Sequence, residues 1–256
     1  VEFGSKEKVA KSDLEKAIGD KTVAIHYVAN ETISDPYALT LEDTISLAKK
    51  FDLPVMVDAA GQIYPLENLS KYSNMGADAV AYAAKYFGAP HSTGFAIGTE
   101  DIISKIALQS FISYEIRRVR GVGRPQKIDR QEIIGAVSAA KIWMNMNHED
   151  RLAKAENTCM RIASYLEGIE GIDVEVQKNT IGHDPHGVRI TLTRSDVSLL
   201  QVQENLKNGT PRIWMRCDQD MQGNFDGTTA RISPFGLYEG EADIVGKRLA
   251  EEINNL

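Results

Sequence analysis

What this sequence lacks narrows it first. It has only two cysteines, Cys159 and Cys217, far apart and without a Cys-x-x-Cys partner. Neither a disulfide framework nor a zinc site follows from such spacing, so no metal is expected. No apolar run approaches the roughly 20 residues that span a bilayer, and no charged-then-apolar leader opens the chain. No membrane association is expected, and the expected setting is the cytoplasm. No Gly-x-Gly-x-x-Gly or P-loop follows any apolar run, which removes the common nucleotide-binding folds. Basic residues are in deficit: 29 Lys and Arg face 36 Asp and Glu, a net charge of -7. A large nucleic-acid footprint needs a basic face, so this balance argues against one. There is no internal repeat and no low-complexity segment. The first residue is Val1, not Met, and the opening reads as mid-chain, so an upstream piece is expected.

What is present is an alternation of apolar runs and amphipathic segments. A short helix is expected at 11–19, with Ser12 as N-cap and Gly19 as its stop. A buried strand follows at 22–29 and a loop at 30–38. Residues 39–52 are amphipathic at helical spacing, and 54–60 form a second apolar strand. This β-α-β order implies parallel strands joined by a right-handed crossover. A helix at 67–76, strands at 78–84 and 92–99, a further helix and a basic loop at 117–127 continue the pattern. Residues 129–166 read as helical, with a break near 148–150. After it come strands at 172–177, 187–194, 212–219 and 228–235, and helices at 198–209 and 240–255. The fold class is therefore α/β followed by an α+β unit, with domains at 1–150 and 151–256.

Two residues carry the chemistry. Asp58 closes one buried strand and Lys85 follows another, and the C-terminal strand ends of open α/β sheets are where ligands bind. Alone, a strand-end Asp is most often a turn residue, and a Lys after a strand is most often a solvated charge. Together they match what pyridoxal 5'-phosphate (PLP) needs. An amine holds the cofactor, and a carboxylate keeps its pyridine nitrogen protonated. The apolar setting of Lys85 favours a neutral, nucleophilic amine. Ala60, read as a strand neighbour on the side of Asp58, leaves room for a flat ring.

The segments PVMVDAAGQIYP, GADAVAYAAKYFGAPHSTG and GVGRPQKIDRQEIIG resemble the selenocysteine-synthase-like family of PLP enzymes. That family includes bacterial L-seryl-tRNA(Sec) selenium transferases and D-glucosaminate-6-phosphate ammonia lyases. The closing LKNGTPRIWMR and ARISPFGLYEGEADIVGKRL are similar to its small domain, so the resemblance covers nearly the whole chain. It implies the back part of a fold-type I large domain plus a C-terminal small domain. It implies Lys85 as Schiff-base lysine and proton shuttle, and Asp58 on the pyridine nitrogen. Ala60 would lie on the ring face and Gln62 would line the pocket. Gly88 to Gly94 would form the post-lysine loop, with Ser92 and Thr93 toward the cofactor and His91 toward substrate. Arg124 would take the substrate's anionic group. Tyr82, Ala83 and Ala84 stand where family members often carry Ser or Gly, and the residues before Asp58 hold no phosphate cup.

The expected function is a PLP-dependent elimination, of ammonia-lyase type, on an anionic amino acid or amino-sugar acid. Selenium transfer to seryl-tRNA is the alternative within the enzymes, and a truncated, non-catalytic subunit is the alternative outside them. The expected partners are a small amino-acid-like substrate and further copies of the chain, in a dimer or larger. By itself the chain is expected to bind PLP weakly.

Overall fold

The structure is a computed structural model and describes residues 1, 3–5, 8–29, 37–178, 186–219 and 225–256. Most of the loop expected at 30–38 lies outside the described residues. The chain divides into two compact units, Val1–Met146 and Asn147–Leu256.

The first unit is built on β1 (Ile25–Val28), β2 (Val55–Asp58), β3 (Ala79–Ala83) and β4 (Gly94–Gly98), in that spatial order. The first three run parallel, with α2 (Leu41–Lys50) and α3 (Asn68–Met75) as the crossovers that parallel pairing requires. β4 runs antiparallel to β3: residues 84–93 join them, fewer than the dozen or more that a parallel crossover needs. α2 starts where the Thr40 hydroxyl oxygen accepts from the Asp43 N–H (3.1 Å). Acidic residues fill its first turn and lysines its last, which suits the helix dipole. Its Leu41, Ile45, Leu47 and Ala48 are buried against the sheet core of Val55, Val57, Val80 and Tyr82. α3 ends at Gly76, whose φ of 106° is open to glycine at little cost. α1 (Lys11–Ala17), α4 (Glu100–Leu108), α5 (Phe111–Glu115) and α6 (Arg130–Met144) complete the unit.

The second unit is α7 (His148–Ser164), β5 (Ile172–Lys178), β6 (His186–Leu192), α8 (Leu199–Asn208), β7 (Arg216–Gln219), β8 (Phe225–Ile232) and α9 (Glu241–Asn254). Its sheet is antiparallel in the order β5-β6-β8-β7. Ile162, Leu166, Val188, Ile190, Leu206 and Leu249 form its own buried core.

The α/β class and the strand order along the chain are as the hydrophobic periods imply. Three kinds of difference appear. First, ends shift: the N-cap of α1 is Ala10, not Ser12, and β8 is Phe225–Ile232 where 228–235 is expected. The helix break expected near 148–150 falls at 145–147, where Asn147 caps α7 through Oδ1, which accepts from the Asp150 N–H (3.3 Å). The strand expected at 212–219 is strand only from Arg216. Arg216 pairs with Arg231, so 212–215 would face the end of β8 and the Pro234 beyond it, which cannot complete a ladder. Third, α5 stands in the stretch before the basic loop, which the sequence periods do not separate from a coil.

Candidate active site at the sheet edge

Val28 pairs with Asp58 and Asp58 with Ala81, so β1, β2 and β3 end along one edge. The ladder continues past the strands: the Ala59 N–H donates to the Ala81 carbonyl (3.0 Å) and the Ala83 N–H to the Ala60 carbonyl (3.1 Å). The chain then enters a single 3-10 turn, Ala84–Phe87, and Lys85 is its second residue. A carboxylate and a primary amine therefore leave adjacent strands at the same edge.

Asp58 is half-buried, and its Oδ1 accepts from the Ala60 N–H (3.0 Å). This turn orients the carboxylate and leaves Oδ2 without a protein donor among the described residues. Ala60 is accordingly in the turn, not on the strand where the sequence period puts it, because β2 ends at Asp58. Gln62 is buried, and its Nε2 donates to the Ala29 carbonyl (3.4 Å), which ties the end of β1 to the turn after β2. Lys85 is exposed, with Nζ 5.0 Å from the Tyr86 ring centroid. The desolvation expected of this lysine is not supplied by the described residues around it.

The post-lysine turn is held from both sides. The Thr93 hydroxyl donates to the Pro90 carbonyl (2.7 Å), and the Thr93 carbonyl accepts from the Ala84 N–H (2.9 Å). Ser92 donates its hydroxyl to Glu132 in the first turn of α6. A Cβ on Gly135 would meet the Pro90 ring at 3.0 Å, so α6 is seated directly on this turn. In this geometry the Ser92 and Thr93 hydroxyl hydrogens are spent on the protein, and the two residues shape the turn instead of offering donors to a phosphate. His91 is exposed on the same turn. Arg124 lies on a different loop. Its guanidinium pairs with Glu115 (3.1 Å) and stacks over Tyr114 (5.0 Å).

Sequence reasoning missed the supporting residues. Glu132 belongs to a capping box with Asp129, a signal that was readable from the Asp-x-x-Glu spacing. The Ser92 hydrogen bond, and after it the Asp129 N–H, hold the Glu132 carboxyl below its usual range. The Trp143 indole N–H donates to the Ile63 carbonyl (3.1 Å) and so fixes the turn after β2 from α6. No local pattern announces that contact. In the second unit, a cavity of about 890 Å³ is lined by Trp214, Leu237, Ile244, Arg212, Arg216 and Arg231 among others. No spacing in the sequence groups those residues.

No family model matches the chain. It is similar to a D-glucosaminate-6-phosphate ammonia lyase of Salmonella typhimurium (strain 14028s / SGSC 2262), 28% identical over 254 residues. That match covers 98% of this chain and 63% of the relative. A structure of D-glucosaminate-6-phosphate ammonia-lyase superposes with a TM-score of 0.70 at 25% identity, over 100% of this chain and 64% of that one. A NifS-like protein gives a TM-score of 0.59 at 18% identity, over 98% of this chain and 66% of that one. The fold is that of fold-type I PLP-dependent enzymes. A 5'-C-glycyluridine monooxygenase-decarboxylase of Streptomyces sp is 26% identical over 255 residues, 98% of this chain and 59% of the relative. The chain thus spans about three fifths of the length of the curated relatives it matches. No helix among the described residues is long and apolar enough to cross a membrane.

The donor set can be compared with PLP on chemistry alone. An oriented carboxylate and an amine at one sheet edge suit the pyridine nitrogen and the aldehyde carbon. The phosphate has no evident ligands in the post-lysine turn. The residues present fit the reactive part of the cofactor.

Proposed function

We propose that this chain carries the reactive half of a PLP-dependent lyase site, acting by elimination on an anionic amino acid or amino-sugar acid. The observation that carries this reading is the placement of Asp58 and Lys85 on adjacent strand ends, bridged by the Ala59–Ala81 and Ala60–Ala83 hydrogen bonds. The similarity over 98% of the chain to an ammonia lyase supports the reaction class. The monooxygenase-decarboxylase relative, of nearly equal identity, differs from the lyase in reaction as well as in substrate, so turnover on an amino-sugar acid is the property to measure.

PLP, when bound, supplies an electron-withdrawing ring that stabilises negative charge left at the substrate α-carbon. Lys85 would hold the cofactor through Nζ and, once released by the substrate amine, take the α-proton at that same atom. Asp58 would keep a positive ring nitrogen in place through its free Oδ2, as an opposite charge within a few ångströms favours the cationic form. Ala60, with no side chain beyond Cβ, leaves the ring face open, and Gln62 braces the floor of the edge. Arg124 would take the anionic group of the substrate in bidentate fashion, and His91, on the post-lysine turn, would face the substrate. A selenocysteine-synthase-like origin accords with the same residues, and the buried Cys159 and Cys217, held as thiols and not in a disulfide, suit a reducing cytoplasm.

One observation favours completion of the site by another copy of the chain. Ile112 and Ile116, in α5 and at its C-cap, and Ile134, Ile142 and Met144 on α6 are each more than half exposed, apolar area of the kind that interfaces cover. Borohydride reduction of the protein incubated with PLP, followed by peptide mapping, should place the pyridoxyl group on Lys85. A label on a different lysine would sink the assignment.

A further inference from the structure

Strand pairing brings Asp58 and Lys85 to one edge, but it stops short of aiming either side chain. β2 ends at Asp58 and β3 at Ala83, so the carboxylate is aimed by the turn after β2 and the amine by the 3-10 turn after β3. A misplacement of about 1 Å between reacting groups can cost about 10²-fold in rate. The two turns therefore need a support outside the sheet.

α6 supplies one. Glu132, Gly135, Ala136, Ala139 and Trp143 recur at three- and four-residue spacing and share one helix face, about 16 Å long from Glu132 to Trp143. At its N-terminal end the Glu132 carboxylate is divided between two segments. Oε2 accepts from the Asp129 N–H (2.8 Å), and Oε1 accepts from the Ser92 hydroxyl in the post-lysine turn. One helical turn on, Gly135 is seated on Pro90 of the same turn. At the C-terminal end, buried Trp143 reaches both turns. Its indole N–H holds the Ile63 carbonyl after β2 (3.1 Å). Its ring packs edge-on against Phe87, with centroids 6.0 Å apart, and Phe87 is the last residue of the turn that carries Lys85.

We propose that Glu132 is a positioning residue for Lys85, acting through Ser92, with α6 as a splint whose far end Trp143 anchors on the turn after Asp58. That the positioned pair is catalytic rests on the lyase reading above; the splint itself does not. A carboxylate suits this role because it offers two acceptor oxygens and can hold donors from two separate segments at once. A plain capping-box glutamate would account for Oε2 alone.

The test has two arms on the whole chain, and the first uses no cofactor. Amide hydrogen exchange reports local opening. The Ala84 and Ala89 N–H groups close the post-lysine turn on the Thr93 and Ala84 carbonyls. Ser92→Ala should speed exchange at both about tenfold, the loss of one charge-assisted bond, and leave Val57 and Val80 in the strands unchanged. Glu132→Ala should do the same, and the double variant should go no further at these amides, since each change removes the same bond. Ser92→Thr keeps the hydroxyl and should match wild type. Asp129→Ala weakens the helix cap but leaves Glu132 on Ser92, so Ala84 should exchange as in wild type. In the second arm, PLP and borohydride label the same proteins, with exposed Lys105 as the internal reference. The ratio of label at Lys85 to label at Lys105 should fall several-fold in Ser92→Ala and in Glu132→Ala, and recover in Ser92→Thr. If Glu132→Ala fails to fold, the Ser92 pair carries the test. Faster exchange spread through β2 and β3, additive single variants, or an Asp129→Ala variant that behaves like Glu132→Ala would overturn the proposal. So would a labelling ratio that falls in Ser92→Ala but holds in Glu132→Ala, which would mark a direct contact of Ser92 with the cofactor. Wild type without label on Lys85 would instead sink the lyase reading, while the exchange arm would still decide the splint.

Discussion

Asp58 and Lys85 do different work, and their variants should separate. Asp58 holds charge at a fixed point: its Oδ1 is committed to the Ala60 N–H and only Oδ2 is left to face a cation. Asp58→Asn keeps that turn and removes the charge. PLP should still label Lys85, while elimination falls by roughly 10²-fold, the scale of losing one preorganised electrostatic contact. Labelling with full activity would show that Asp58 is not the ring partner. Tyr82 sits beneath this edge. Its hydroxyl donates to the Asn68 carbonyl (2.8 Å), and burial pushes its pKa up to about 12. The folded state therefore holds the phenol proton over a range in which the unfolded chain releases it. The contribution is intact below about pH 10, the ordinary value, and is lost as pH rises toward about 12. Urea midpoints should fall across that window, and Tyr82→Phe should flatten the fall while costing about 1 kcal/mol at neutral pH. An alkaline limb unchanged in Tyr82→Phe would point to other groups. Cys159 is inert for a similar reason: burial first, then the Glu156 charge, raises its thiol to about 11.

At the scale of elements, close approaches decide more than propensity does. In the second unit α9 lies on α7 through Gly246, where a Cβ would meet the Tyr165 ring at 2.4 Å. Gly246→Ala improves helix propensity in isolation. It should nonetheless destabilise the protein by about 1–3 kcal/mol, as overpacking does. Calorimetry showing a higher melting temperature would mean that Tyr165 rotates away freely. The same logic separates what was legible in these elements from what was not. α2 shows its cap, its charges and its apolar stripe within a dozen letters, because each is a local requirement of a helix. The Ser92–Glu132 bond and the Trp143–Ile63 bond join residues distant along the chain, and no period reports them. Ala60 was misplaced because alternation continues past the point where β2 stops, and the Asp58 turn is what stops it.

For the whole molecule, each unit has its own buried core, yet the first leaves apolar side chains of α5 and α6 in water. Val122 is 85% and Ile134 is 66% exposed, and burial of such side chains against a second copy would be favourable. The protein should therefore self-associate, and light scattering should give a mass above 28.3 kDa. Ile134→Asp should return it toward the monomer by placing a charge where apolar area is covered. A monodisperse wild-type monomer would contradict this and with it the reading of a site completed by a second copy.

The sequence by itself determined the α/β order and the two strand-end residues with reactive side chains. These depend on hydrophobic period, on turn chemistry and on residue type, all of which are written within a few neighbours. Only the tertiary structure decided that Asp58 and Lys85 share an edge, because strand adjacency is set by pairing across the sheet. It also decided that the Ser92 and Thr93 hydroxyls bond to Glu132 and to the Pro90 carbonyl, and that Arg124 rests against Glu115 and Tyr114. A hydroxyl or a guanidinium bonds to whichever partner folding brings within about 3 Å, and for such partners distance along the chain is no guide.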